Sequence, residues 1–238
     1  IQDFFGLYDA RRFTALLAAT SPMTSVESNA INTLNTWVNW NKSGRPKDEE
    51  SIMRILGESV QGDKGTESVL PAWVNNSIRA LSAPEGTEMS LQLSGPKVNS
   101  FMLNLVGAVD EVTNDTWMAN YALIDQERFK GVERKAFSDE IGQLGVKSSG
   151  YIGFSAKVRQ AAEAASQITG DQWSPAEIQE TVWSVSKAIV ERRRSEGSSG
   201  LSATDLLKQG LITDVDVADV PDFATLFSNG AYKKIFWD

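Results

Sequence analysis

Apolar residues recur every three or four positions along most of the chain, and runs that alternate apolar with polar are scarce, so the pattern predicts helices and little strand. "ARRFTALLAAT" reads as a helix with Phe13, Leu16 and Leu17 turned inward, and "SPMTS" breaks it. "SVESNAINTLNTWVNW" is the next, with Val26, Ala30, Leu34 and Trp37 on one face. "RPKDEESIMRILGESV" opens on Pro46 and three acids, a favourable helix start, and "GDKG" closes it. "SVLPAWVNNSIRALS" runs to the breaker "APEG", and "LQLSGPK" leads into two further helices. Downstream, "SAKVRQAAEAASQI" and "SPAEIQETVWSVSKAIVERRR" are strongly periodic; the second has Ser174 as cap, Pro175 at its first position and Glu177 in its first turn. Residues 195–200, "SEGSSG", read as a linker, followed by two short helices, "SATDLLKQGLI" and "VPDFATLFSNGAYKKIF". No internal repeat is visible. The expected fold class is all-α.

Composition narrows the chemistry. With 238 residues, 41% of them apolar, the chain can bury a sizeable core. It has no cysteine and no histidine, so disulfides, iron–sulfur clusters, thiolate or imidazole zinc sites and Ser-His or Cys-His catalysis are excluded. Reactive groups must come from Asp, Glu, Lys, Tyr, Ser or Thr. No cofactor and no metal are expected. There is no twenty-residue apolar run and no signal-peptide pattern in "IQDFFGLYDARRF", so the expectation is a cytoplasmic protein without a membrane partner. The formal charge of −8 argues against broad non-specific nucleic-acid binding and leaves room for a local site. Part of that charge lies in the acidic extension, where Asp205, Asp214, Asp216, Asp219, Asp222 and Asp238 face only Lys208, Lys233 and Lys234.

The stretch "GPKVNSFMLNLVGAVDEVTNDTWM", Gly95 to Met118, sets an amine and a carboxylate at the heads of successive helices: Asp115 follows Lys97 by eighteen residues. "LQLSGPKVNSFMLN" with "NDTWM" resembles the helix-hairpin-helix DNA glycosylase superfamily, whose hairpin reads Leu-Pro-Gly-Val-Gly-x-Lys and is followed at similar spacing by an aspartate. Leu91 opens the frame, Gly95 matches the second hairpin glycine, Lys97 the lysine and Asp115 the aspartate. "FTALLAATSPMTSVESN" looks like the first barrel helix and the polar turn that meets DNA, and "VRQAAEAASQITGDQWSPAEIQETVWSVSKA" is similar to the helix pair after the aspartate. The likeness spans roughly 10–190, leaving 123–150 and the tail uncovered. Gln92 replaces the usual proline, Leu93 the first glycine, and Trp117 the common histidine.

The resemblance implies a two-lobed helix-hairpin-helix glycosylase fold: a barrel over 15–112, and a second lobe from 1–14 and 113–238 with the acidic extension after the linker. It implies a monomer that binds double-stranded DNA, extrudes a nucleotide and cleaves its N-glycosidic bond. Asp115 would stabilise positive charge on the sugar and Lys97 would supply the amine for a lyase step, so that the two flank one deoxyribose. Hairpin contacts would come from Leu93, Ser94, Gly95 and Val98, since amides at a helix head attract phosphate. Further DNA contacts would come from Thr20, Ser21, Thr24 and Ser25, with Trp117 and Tyr121 lining the base pocket. The wording resembles divergent phage and anti-phage members, which implies a bulky modified pyrimidine as substrate. Two rivals stay open: the superfamily's thymine-hypermodification branch, which transfers a group onto the base, and a non-catalytic DNA-binding or virion structural module. Each residue also has a plain reading. Lys97 suits a solvated helix start, Asp115 an N-cap, Trp37, Trp73 and Trp183 the core, and Asp110-Glu111 a solvated loop.

Overall fold

The structure is a computed structural model and describes residues 2–60, 69–122, 126–129 and 147–195. Every regular element among them is helical, so the described part of the chain is all-α, as the apolar periodicity predicts. The expected linker, from 196 on, and both short helices after it lie outside the described residues. Contacts divide the chain into two units: Ile1–Thr113 with Lys130–Ile152, and Asn114–Phe129 with Gly153–Asp238.

The first unit contains α1 (Gln2–Phe5), α2 (Leu7–Ala19), α3 (Val26–Lys42), α4 (Glu49–Ser59), α5 (Pro71–Ser82), a 3-10 turn (Glu88–Ser90) and α6 (Pro96–Leu105). Helix α2 is its centre and packs against α1, α3, α5, α6 and the 3-10 turn. It is buried on nearly every side, and its Ala15, Ala18 and Ala19 let neighbouring backbones come close while Phe13 and Leu16 fill the core. Trp37, Trp40, Ile52, Ile55, Leu81, Leu93 and Met102 complete that core. Residues 1–14, expected in the second lobe, belong to this unit. Phe5 stacks on Phe13 at 4.8 Å and meets Trp37 edge-on at 5.5 Å, which anchors the segment by aromatic burial.

A buried ion pair follows from this central placement. Arg12 is buried and pairs with buried Glu88 at 2.6 Å, while its other nitrogen donates to the carbonyls of Ala80 and Leu81 in the last turn of α5. Those carbonyls have no partner within a helix end, so the guanidinium caps α5 as it bonds Oε1 of the carboxylate. Burial pushes the Glu88 carboxyl up. Backbone N–H donors and the Arg12 charge outweigh it and hold the group below its ordinary value.

Helix α3 buries Trp37 of the face that its apolar residues predict but otherwise turns a polar face inward. Val26 is 71% and Leu34 48% exposed, whereas Asn29, Asn32, Thr33 and Thr36 are buried beside Trp37 and Trp40. The polar face can be buried because its groups are paired. Thr20 Oγ1 lies 2.6 Å from Asn29 Oδ1 and 2.9 Å from Thr33 Oγ1, and Asn39 donates to Ser59 of α4 at 3.0 Å. The two tryptophans supply the apolar area.

The second unit contains α7 (Thr116–Tyr121), a 3-10 turn (Gln126–Phe129), α9 (Pro175–Ser195) and α8 (Ser149–Thr169) from Gly153 on. Helix α7 packs on α9 and on the 3-10 turn. Gly170, at φ 80°, ends α8 in a conformation that favours glycine, and its N–H returns to Ser166. The predicted start of α9 is present as a capping box: Ser174 Oγ accepts from Glu177 N at 3.3 Å, and Glu177 Oε2 accepts from Ser174 N at 2.7 Å. The Ser174 N–H and the Ser174 hydroxyl, both donating to Glu177 Oε2, hold that carboxyl below its ordinary value.

Candidate functional site

The hairpin ahead of α6 is built from both sides. Leu91 and Leu93 point into the core, and Gly95 turns the chain at φ 86°, where a side chain would be strained. Pro96 then takes the first helical position, where its missing N–H costs little. The amide of Asn76, on α5, grips Ser94 by both backbone groups, and Leu93 N donates to Asn99 Oδ1 at 2.9 Å. The N–H groups of Leu93 and Ser94, expected to meet phosphate, are therefore engaged inside the unit. Val98 buries its side chain, and Lys97 is half-buried on a first turn that no side chain caps.

The stretch after α6, as far as Thr113, is tied back on that helix. Asn104 donates to the carbonyls of Ala108 and Glu111 at 3.0 and 2.8 Å and accepts from Thr113 Oγ1 at 2.7 Å. Glu111 accepts from Ser100 Oγ at 2.8 Å and pairs with Lys147. The solvated loop expected at Asp110-Glu111 is thus a tertiary anchor at its second residue. Tyr151, fully buried, donates to the carbonyl of Val112 at 2.8 Å, and Lys147 lies over its ring at 5.6 Å. Of these partners, Lys147 lies in the stretch that the resemblance leaves uncovered.

The polar turn after α2 departs in part from its expected role. Thr20 is fully buried in the Asn29 and Thr33 network, so its hydroxyl serves the fold rather than a DNA surface. Ser21 donates to Ala18 O at 2.9 Å, and Ser25 caps α3 by accepting from Ser28 N at 3.1 Å. Thr24 is half-buried and Ser25 exposed.

Asp115, half-buried in the second unit, caps α7: Oδ1 accepts from the N–H groups of Trp117 and Met118 at 2.9 and 3.2 Å. Its other oxygen, Oδ2, accepts from the indole N–H of Trp183 on α9 at 3.2 Å. Three N–H donors therefore fix the plane of the carboxylate. The cap alone is an ordinary helix start; the indole contact, 68 positions away in sequence, is more. Lys187 Nζ lies 5.0 Å from the centre of the Trp183 ring, a cation–π contact. Glu180, on the same helix, keeps solvent access, yet desolvation by surrounding protein, followed by the charge of Asp115, pushes its carboxyl up; Lys187 offsets part of this.

Of the two aromatics expected to line a pocket, Trp117 is half-buried on α7 and Tyr121 is 55% exposed at its end. Trp37 and Trp73 are core residues, as expected, whereas Trp183 is only half-buried and holds the aspartate. Trp183 and Glu180 lie on a helix whose apolar spacing marks them as ordinary, so the pattern carries no signal for either. Lys97 belongs to the first unit and Asp115 to the second. Among the described residues no group of acidic side chains could hold a metal ion, and no helix is long and apolar enough to cross a membrane. Comparison with family models, with curated proteins and with solved structures found no match.

Proposed function

We propose that the protein is a DNA glycosylase with the two-lobed helix-hairpin-helix fold. It extrudes a pyrimidine of modified type from double-stranded DNA and cleaves its N-glycosidic bond. The observation that carries this reading is the hydrogen bonding of Asp115: both oxygens are held by N–H donors at the head of a helix, eighteen residues after the hairpin lysine. As the bond to the base breaks, positive charge grows on the sugar. A carboxylate whose orientation is already set stabilises that charge without reorganising at the moment of reaction. The neutral indole N–H of Trp183 suits this role, since it orients the carboxylate and leaves its charge intact. On the hairpin side, the uncapped first turn of α6 supplies the partial positive charge that attracts a phosphate.

The test is incubation with duplex DNAs carrying different modified pyrimidines, followed by mass spectrometry of the released bases. Wild-type protein is expected to release free base and Asp115→Asn to release none. DNA that gains mass instead would assign the protein to group transfer onto the base. Equal release by the variant and the wild type would overturn the role of Asp115. The lyase step expected of Lys97 has its own readout, a borohydride-trapped adduct that Lys97→Gln abolishes.

A further inference from the structure

We infer that Glu180 is the proton acceptor of the Asp115 site, taking a proton from the water that attacks the sugar; this rests on the glycosylase reading of Asp115. Glu180, Trp183 and Lys187 follow one another at spacings of three and four along α9, which puts them on one helix face. That face meets the head of α7 through the bond from Trp183 Nε1 to Asp115 Oδ2 at 3.2 Å. Glu180 therefore stands one turn before the indole that holds the aspartate. It is near enough for the two carboxylates to act on one another, and water reaches it.

Two carboxylates in one site divide the labour of glycoside cleavage when one stabilises the sugar and the other activates water. Asp115 has its oxygens taken up by N–H donors, so its orientation is set for the first task. Glu180 is solvent-accessible and suits the second. In the step, the water oxygen forms a bond to the anomeric carbon while the bond from that carbon to the base breaks. The bonding pair leaves with the base, which takes up a proton from solvent. Glu180 accepts the proton lost by the water and returns it to solvent afterwards, so water is the only co-reactant. Crowding by protein and the neighbouring negative charge raise the basicity of Glu180, which improves a general base working near neutral pH. The charged groups that bear on it are Asp115, from the head of α7, and Lys187, from its own helix. Glu127 and Arg128, on the 3-10 turn packed on α7, are exposed.

A surface glutamate with no part in the reaction would leave the pH profile of base release untouched, and the profile is therefore the decisive readout. Glu180→Gln is expected to slow release by about 100-fold, the lower end for loss of a general base, and to remove the acidic limb of the profile. Glu180→Asp should restore part of the rate together with the limb. Unchanged rate and limb in Glu180→Gln, with Asp115→Asn inactive, would overturn this inference and spare the glycosylase reading. Unchanged release in both variants would overturn that reading and the inference with it. A substrate-free measurement supplements these: the Glu180 carboxyl, followed by NMR, should titrate above the ordinary glutamate value and fall toward it in Asp115→Asn. No response to that substitution would show the two carboxylates to be uncoupled and end the proposal.

Discussion

Asn76 and Ser94 are joined by a reciprocal pair of hydrogen bonds: the side-chain amide donates to the Ser94 carbonyl at 3.2 Å and accepts from the Ser94 N–H at 2.6 Å. One buried side chain on α5 thus satisfies both backbone groups of a hairpin residue. Together with Asn99 it holds the extended segment that delivers Lys97 to the first turn of α6. The same bonds take two N–H groups away from any phosphate.

Replacing Asn76 by alanine removes both bonds and leaves a cavity beside the hairpin. Loss of about 2–4 kcal/mol is expected, because a truncated partner leaves its counterpart unsatisfied. Urea unfolding followed by tryptophan fluorescence measures it. A midpoint within error of the wild type would show that the pair contributes nothing.

Arg12 and Glu88 form a buried ion pair, and removing one partner strands the other. Glu88→Gln or Arg12→Met should each cost about 3–5 kcal/mol, while the double replacement Arg12→Met with Glu88→Leu should cost less than their sum. The Glu88 carboxyl titrates lower in the folded protein than in the unfolded chain. Between the two values the unfolded state binds more protons, so stability rises with pH there. The contribution is fully present above the unfolded glutamate value of about 4.3 and is lost as pH falls through the folded one. Unfolding measured from neutral to acid pH should show this slope in the wild type and a smaller one in Glu88→Gln.

Trp183→Phe keeps the ring and deletes the N–H that holds Asp115 Oδ2. On the glycosylase reading, kcat for base release should fall by about tenfold with KM little changed. The lost bond is one to a charged group, worth about 1.5–3 kcal/mol when made to an ionised partner, and water recovers part of it. Single-turnover release of base measures the effect. A matching rise in KM with kcat unchanged would assign the indole to substrate binding instead.

What was legible in the chain was whatever repeats or closes locally. Periods of three and four give helices, and Ser174, Pro175 and Glu177 mark the head of α9, because a capping box is complete within four residues. The two core tryptophans, Trp37 and Trp73, also follow from their helical faces.

The inward face of α3 was not legible, because burial there depends on Thr20, Asn29 and Thr33 satisfying one another, and a polar side chain does not announce in sequence that it will find a partner. Glu111 is an anchor only because Ser100 and Lys147 are brought to it.

By itself, the amino-acid order determined the all-helical class, most helix starts and the placing of Lys97 and Asp115 at helix heads. Periodicity and capping are short-range properties of a backbone with 3.6 residues per turn. Tertiary structure alone decided that Trp183 meets Asp115, that Glu180 feels its charge and that Arg12 finds Glu88. Partners this far apart in the chain are selected by how helices pack, and helix packing depends on the volumes and hydrogen bonds of many side chains at once.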